Sequence, residues 1–187
     1  EENTQIIKDQ IDSLFPKQAE IFGIKIIATK NTSDKAISKA LSILEQWLDN
    51  DKNGKPDNQL VVDSLIKNKG SMIMGKNDRD VDKTFYKIMK WAKKQKINMD
   101  DLDEATDSLM MLSANEPHIA YLEEILHLVS DFGYADAYPE IFGLYPGSKI
   151  SLAMDKARGG FFKDIPKKYP PEAWYSYDDD MCEYNCM

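Results

Sequence analysis

The segment that most constrains the fold covers residues 119–132 and includes the sequence LEEILHLV. Its apolar residues fall on nearly every side of a helix, and a helix that is apolar nearly all round is buried in a core. The remaining polar residues are spaced by three and four positions and so share one narrow face: Glu123, Glu124, His127 and Asp131. Buried carboxylates are unfavourable unless they are paired or metal-bound. This segment, the motif helix, therefore requires a sizeable core and a partner for its charged face.

The length and periodicity of the chain predict one mostly helical domain. A chain of 187 residues is long enough for a single domain, which we expect over residues 1–187. Apolar spacing and capping signals predict helices over residues 4–14, 34–48, 60–67, 80–95, 100–112 and 148–158, besides the motif helix between Pro117 and Gly133. Short apolar runs beside glycine predict strands over 24–29 and 70–75. The predicted fold class is α+β, predominantly helical, with a small sheet, a buried motif helix and an extended C-terminal segment over 163–187.

A loop rich in aspartate and asparagine joins two predicted helices at residues 49–60. Its residues match the odd-numbered ligand positions of an EF-hand loop from the first to the ninth: Asp49, Asp51, Asn53, Lys55 and Asp57. Gly54 falls where that loop turns sharply, and Lys55 falls where the ligand is a backbone carbonyl. The pattern predicts a calcium site with a structural role between the two helices.

Two residues depart from the EF-hand pattern. Leu60 stands at the twelfth position, where a bidentate glutamate is expected, and Pro56 replaces the usual apolar residue at the eighth. Asp63 lies three residues further on and is a candidate to complete the coordination shell. The lost ligand predicts weak calcium affinity, as in the calcium loops of extracellular proteins. An Asx-rich turn without metal is the alternative.

The motif helix also carries Glu123-Glu124-x-x-His127, which differs from the zinc-protease motif H-E-x-x-H at its first residue. The chain resembles the zincin metallopeptidases in this motif and in the order strand, helix, strand, motif helix. The resemblance implies a zincin-like build in which Glu123 and His127 bind zinc and Glu124 is the general base. It also implies that Tyr175 or Tyr177 stabilises an oxyanion in the cleft.

The resemblance is incomplete in two respects. Glutamate in place of a neutral imidazole lowers the effective charge of a zinc ion and its power to acidify water. A third ligand must come from outside the motif, and the candidates are Glu140, Asp155, Asp178, Asp179, Asp180, Glu183 or a residue beyond Met187. The alternative without metal is an ion pair between Glu123 and His127 with Asp131 beside it, while the tyrosines cap an edge of the core.

The net charge of the chain limits the partners that it can bind. The formal net charge of −8 argues against nucleic acid or an anionic membrane surface as a partner, because both bind basic faces. No apolar run in the sequence is long enough to span a membrane.

The chain begins with glutamate, as a processed secreted protein or a shortened chain would. Cys182 and Cys186 could form a disulfide, contact a metal or remain free thiols. With the calcium-type loop, these features predict a secreted or extracytoplasmic protein.

Two functional hypotheses follow from these motifs. The first is a secreted metal-dependent hydrolase, such as a peptidase with a protein or peptide substrate, that holds calcium in the loop and zinc at the motif helix. The second is a non-catalytic calcium-binding extracellular protein with a structural or interaction role and a degenerate metal motif. The sequence contains neither a glycine-rich nucleotide-binding motif nor G-x-S-x-G, so those enzyme classes have no support.

Overall fold

A four-stranded sheet organises the structure. The computed structural model describes residues 2–162, 166–174 and 176 of the chain. The strands lie in the order β1 (Lys17–Ile21), β2 (Ile24–Ala28), β3 (Ser71–Gly75) and β4 (Leu109–Ser113). β1 pairs antiparallel with β2, whereas β2, β3 and β4 are parallel. The sheet is therefore mixed, with a hairpin at one edge.

Helices precede, connect and follow these strands. They are α1 (Glu2–Leu14), α2 (Asp34–Leu48), α3 (Gln59–Lys67), α4 (Asp78–Gln95), α5 (Met99–Thr106), α6 (His118–Val129), α7 (Ala135–Ala137), α8 (Pro139–Phe142) and α9 (Lys149–Ala157). A π-helical turn, Ser130–Tyr134, joins α6 directly to α7. The predicted α+β class, predominantly helical with a small sheet, is confirmed. Within the described part of the chain, no helix combines the length and apolar character that crossing a membrane requires.

The sheet separates two hydrophobic cores, because alternate residues of a strand point to opposite faces. Ile26 and Met72 point to the face that α2, α3 and α6 cover. Ile27 and Ile73 point to the other face, where they pack with residues of α1, α4 and α5. Burial on both faces is the usual setting of parallel strands, whose side chains are apolar in both directions.

The motif helix is α6, and its buried side faces the first core. Tyr121, Ile125, Leu128 and Val129 are buried in that core, whereas Ile119 is 66% exposed. The helix packs against α2 and β4. Burial of the motif helix is therefore confirmed for the side that faces the sheet, while the start of the helix is open to solvent.

Three parts of the secondary structure differ from the sequence prediction. Residues 100–112 do not form one helix, because α5 ends at Thr106 and the following run forms β4. Gly133 does not end the motif helix but lies inside the π-helical turn. The sequence patterns do not predict β1, which is held to β2 by a tight turn at Phe22 and Gly23. Both turn residues have a positive φ, as a type I′ hairpin turn requires.

Candidate metal centre

The loop between α2 and α3 is built around Asp49, the C-cap residue of α2. Asp49 is buried, with only 2% of its surface exposed. Its carboxylate oxygens accept hydrogen bonds from the backbone N–H groups of Asn53 (3.0 Å) and Gly54 (2.8 Å). Such local bonds are typical of aspartate in turns and offset the cost of burying a charged group. The loop therefore folds back over this carboxylate.

Asp51 and Asp57 approach the same carboxylate from the rest of the loop. The Asp51 carboxylate accepts hydrogen bonds from the backbone (3.1 Å) and side-chain (2.8 Å) N–H groups of Asn53. Asp57 Oδ2 accepts a bond from the Asn50 N–H (2.8 Å), and the Asp57 N–H donates to the Leu48 carbonyl (2.7 Å). These last two bonds tie the end of the loop to the end of α2.

The other predicted loop residues have different surroundings. Gly54 has a φ of +79°, which suits glycine and provides the sharp turn. Asn53 Oδ1 accepts a bond from the Lys55 backbone N–H (2.9 Å), and both residues are exposed. Leu60 is 57% exposed in the first turn of α3. Asp63 accepts a hydrogen bond from within α3 (2.8 Å) and is not part of the carboxylate group.

Three aspartates form one compact group. One oxygen of each of Asp49, Asp51 and Asp57 lies within 4.8 Å of the others, and the described residues contain no second such group of three or more acidic, histidine or cysteine side chains. No ion pair in the described part of the chain involves these aspartates. A carboxylate oxygen has two lone pairs, so it can accept an N–H bond and still contact a cation. The donor set therefore fits a hard divalent cation.

The charged residues of the motif helix differ in burial and in the side chains that lie near them. Glu123 is exposed, whereas Glu124 and His127 are partly buried. His127 Nδ1 lies 3.8 Å from Asp131 Oδ2 in the following π-helical turn, and the two form an ion pair only when the histidine is protonated. Burial raises the pKa of Asp131, while a hydrogen bond from Ser130 (2.9 Å) and the nearby His127 oppose the rise. Asp131 is thus the acidic partner of the histidine.

Glu124 lines a separate cleft of about 380 Å³ between α4, β4 and α6. We call it the acidic cleft, because four carboxylate side chains line it: Asp78, Asp82, Glu116 and Glu124. Ser113 at the end of β4 also lines the cleft and donates a hydrogen bond to the Asp78 carboxylate. The cleft lies at the carboxyl ends of the parallel strands β3 and β4, the end at which ligand sites of such sheets form.

Burial, together with the neighbouring acidic residues, raises the pKa of Glu124. Burial raises the pKa of its carboxyl, His127 opposes the rise, and the negative charges of Glu123 and Glu116 add to it. A carboxyl with a raised pKa in a cleft is suited to proton transfer. The sequence prediction includes Glu124 but misses the other cleft residues, because they come together only when β4 lies beside β3.

A complete zinc ligand set is not present among the described residues. Glu123 and His127 do not join any third described side chain in a group that could hold one ion. Of the third-ligand candidates, Asp155 pairs with Arg158 (3.1 Å), and Glu140 is exposed on α8. The following predicted residues lie outside the described part of the chain: Tyr175, Tyr177, Asp178, Asp179, Asp180, Cys182, Glu183 and Cys186. The zinc site stays a prediction.

Comparison with known proteins adds no family to these observations. No protein-family model, curated protein or solved structure matches the chain. The resemblance to the zincin metallopeptidases therefore rests on the motif residues and the order of elements alone.

Proposed function

We propose that the protein binds one calcium ion in the loop over residues 49–57 and that this ion is structural, fixing α2 relative to α3. The proposal rests on the mutual approach of three carboxylates, those of Asp49, Asp51 and Asp57, within 4.8 Å. They occur in a loop with the ligand spacing of an EF-hand. The non-catalytic calcium-binding hypothesis is therefore the one that the geometry favours.

The donor chemistry favours calcium among the common cations. All the ligands that the loop offers are oxygens, which suits calcium and magnesium better than zinc or copper. A loop that places carboxylates at alternate positions suits the six to eight flexible ligands of calcium, whereas magnesium demands a tighter octahedron and keeps more water. Leu60 supplies no carboxylate, so we expect a dissociation constant of about 0.1 to 1 mM, typical of extracellular modules. A site this weak would be filled outside the cell, which agrees with the proposed secreted location.

The position of the loop suggests why the ion matters. α2 contributes Leu44 and Leu48 to the first core, and α3 contributes Val61, Val62 and Leu65. The loop that joins them carries three like charges without an ion pair. A bound cation would remove that repulsion in the folded state and so raise the free energy of unfolding.

Thermal unfolding with and without calcium tests this proposal. With about 10 mM calcium, roughly 10 to 100 times the expected dissociation constant, binding adds about 1.4 to 2.7 kcal/mol to the free energy of unfolding. For a chain of this size we expect the melting temperature to rise by about 3 to 11 °C. Equal melting temperatures in calcium and in chelator would contradict the proposal.

Matched variants locate the effect. Asp51→Asn keeps the size of an exposed side chain and removes one charged ligand, so it should abolish most of the calcium response. Asp103→Asn makes the same change at an exposed position on α5, away from the loop, and should leave the response intact. A calcium response that survives Asp51→Asn and Asp57→Asn together would place the ion elsewhere.

One observation favours hydrolysis as a second function. Glu124 has a raised pKa and lines a cleft, as a residue that accepts a proton during hydrolysis would. The two motif ligands Glu123 and His127 fall short of the three protein ligands of a catalytic zinc site. We therefore propose only that Glu124 takes a proton from the attacking water.

A peptidase assay with the purified chain tests the second function. Glu124→Gln should abolish hydrolysis of a fluorogenic peptide library, whereas Glu140→Gln, an exposed change on α8, should not. Zinc analysis of the unmodified chain and of His127→Ala tests separately whether the motif helix holds a metal, which one equivalent that is lost in the variant would support. Absence of hydrolysis with zinc present, or equal hydrolysis by Glu124→Gln, would contradict this function without affecting the calcium proposal.

A further inference from the structure

We propose that a second pocket, at the amino ends of the parallel strands, binds a small organic anion with an apolar body. This basic pocket has a volume of about 290 Å³ and is lined by three lysines, Lys8, Lys25 and Lys69, above an apolar floor. It lies at the opposite end of the parallel strands from the acidic cleft. The inference is independent of calcium binding and of hydrolysis.

The three lysines come from distant parts of the sequence. Lys8 lies on α1, Lys25 on β2, and Lys69 in the turn between α3 and β3. Among the residues that the structure describes, Asp12 is the one acidic residue that lines the pocket with them. In a chain with a formal net charge of −8, a cavity with an excess of positive charge is a local exception. Such a concentration of ammonium groups creates a favourable potential for an anion.

The ammonium groups of the three pocket lysines form no close ion pair within the described part of the chain. The pKa of Lys8 is lowered, mainly by burial and secondly by the neighbouring positive charge of Lys69. The negative charge of Glu104 offsets only part of this lowering. Lys8 and Lys69 therefore repel each other in the absence of a ligand. An anion between them would convert the repulsion into two charge-assisted contacts.

The backbone at Lys69 also costs stability. α3 ends with hydrogen bonds from the Lys69 N–H to the Ile66 carbonyl (3.1 Å) and from the Gly70 N–H to the Leu65 carbonyl (2.9 Å). Lys69 has a φ of +57° at this helix end, where glycine is the favoured residue. A lysine here is therefore less favourable than glycine for folding, but it places an ammonium group at the pocket.

The pocket walls define the remainder of the ligand. Its floor is apolar, formed by Ile11, Ile27, Leu65, Ile66, Ala105 and Leu109. Its volume is at the lower end of the range for small-molecule sites, which is about 300 to 1,000 Å³. Inorganic anions would leave that floor unused, and neutral hydrocarbons would leave the lysines unpaired. A short-chain or aryl carboxylate matches both parts.

Titration calorimetry with octanoate in calcium-free buffer tests the inference. We expect one octanoate per chain, with an affinity at least about tenfold above those of octan-1-ol and inorganic phosphate, because each probe lacks one of the two contacts. Lack of octanoate binding would overturn the inference. Octan-1-ol binding as tightly would exclude a role for the lysines, and phosphate binding as tightly would exclude a role for the apolar floor.

Variants separate binding from folding. The double variant Lys8→Gln/Lys69→Gly should bind octanoate at least about tenfold more weakly, whereas Lys83→Gln, the same loss of charge at an exposed site on α4, should bind normally. The double variant should also melt at or above the temperature of the unmodified chain, because it removes a repulsion and a left-handed lysine. Unchanged affinity, or a clearly lower melting temperature, would overturn the inference.

Discussion

Asp49 contributes more to the fold of the loop than Asp51 and Asp57 do. It is buried, it ends α2, and it accepts hydrogen bonds from two backbone N–H groups. Replacing it would disturb the fold of the loop as well as any ion. Asp51 and Asp57 are exposed, so neutral substitutions there test ligand binding with less effect on the loop itself. Substitutions of Asp51 and Asp57 therefore test ion binding more directly than a substitution of Asp49 does.

The missing ligand at Leu60 offers a gain-of-function prediction. Leu60 is 57% exposed at the beginning of α3, so a polar side chain there disturbs little of the core. Leu60→Glu would restore the bidentate carboxylate of the twelfth EF-hand position, and we expect calcium affinity to rise by about tenfold or more. Calorimetric titration with calcium measures the change. Leu60→Gln is the matched control, and an equal gain in that variant would argue against coordination by the new carboxylate.

The raised pKa of Glu124 predicts a pH-dependent effect on stability. Because folding raises this pKa, ionisation of the carboxyl destabilises the folded state. This loss of stability is absent below the ordinary glutamate pKa of about 4.3 and is complete above the raised pKa. Glu124→Gln should therefore be more stable than the unmodified chain at pH 7, and the difference should vanish towards pH 4. Urea unfolding between pH 4 and pH 7 measures it.

Glu140→Gln provides the control for this pH dependence. Glu140 is exposed on α8, so its replacement relieves no burial penalty, and the difference in the free energy of unfolding between this variant and the unmodified chain should stay nearly constant across the same pH range. Loss of stability at pH 7 in Glu124→Gln would mean that the ionised carboxylate makes a favourable contact in the folded protein. That result would contradict the assignment of burial as the dominant influence on Glu124.

At the scale of elements, α2 and β4 show what local sequence can specify. Ser33 caps α2 by accepting a hydrogen bond from the Ala36 N–H (3.2 Å), and the apolar spacing of the helix matches its buried side. Both signals are local, so the prediction is confirmed. β4 has the sequence LMMLS, whose leucines and methionines favour helix, and it follows α5 closely. Its strand conformation depends on pairing with β3, a contact that is distant in sequence.

The wrong prediction of helix at β4 also explains why the sequence does not predict the acidic cleft. Ser113 reaches Asp78 only because β4 is a strand that ends beside the start of α4. The β1 strand was missed for a related reason, since the sequence KQAEI alternates in burial but lacks β-branched residues before Ile21. Both strands depend on a neighbouring strand for their conformation, so local patterns were insufficient.

The junction of α3 with the π-helical turn depends on the absence of a side chain at Gly133. A Cβ there would lie 2.8 Å from Val61 Cγ1, closer than packed carbon atoms allow, and 3.2 Å from Leu65 Cγ, which is a tight contact. Gly133→Ala should therefore lower the free energy of unfolding by about 1 to 3 kcal/mol. Chemical denaturation measures the loss.

A second substitution tests the cause of that loss. Val61→Ala removes the methyl group nearest to the new Cβ, so the double variant Gly133→Ala/Val61→Ala should lose less stability than the sum of the two single variants. Strict additivity would show that steric conflict with Val61 is not the cause. In that case the substitution would act through the backbone of the turn.

At the scale of the whole molecule, acidic and basic residues gather at opposite ends of the parallel strands. The acidic cleft lies at the carboxyl ends of the parallel strands and the basic pocket at their amino ends. The net charge of −8 is a sum over the whole chain, so it gives no indication of the basic pocket. Lys8, Lys25 and Lys69 are separated in the sequence and meet only in the tertiary structure. The loop over residues 49–57, by contrast, is continuous in sequence, so the sequence pattern alone indicates that its carboxylates lie close together.

Amide NMR spectra recorded during a calcium titration test the central claim most directly. We expect saturable shifts in the amides of residues 49–60, above all at Gly54, with one calcium ion per chain and a dissociation constant of about 0.1 to 1 mM. The same titration of Asp51→Asn should shift these amides only at much higher calcium. Unchanged spectra at about 10 mM calcium, or shifts confined to the acidic cleft, would contradict calcium binding by the loop between α2 and α3.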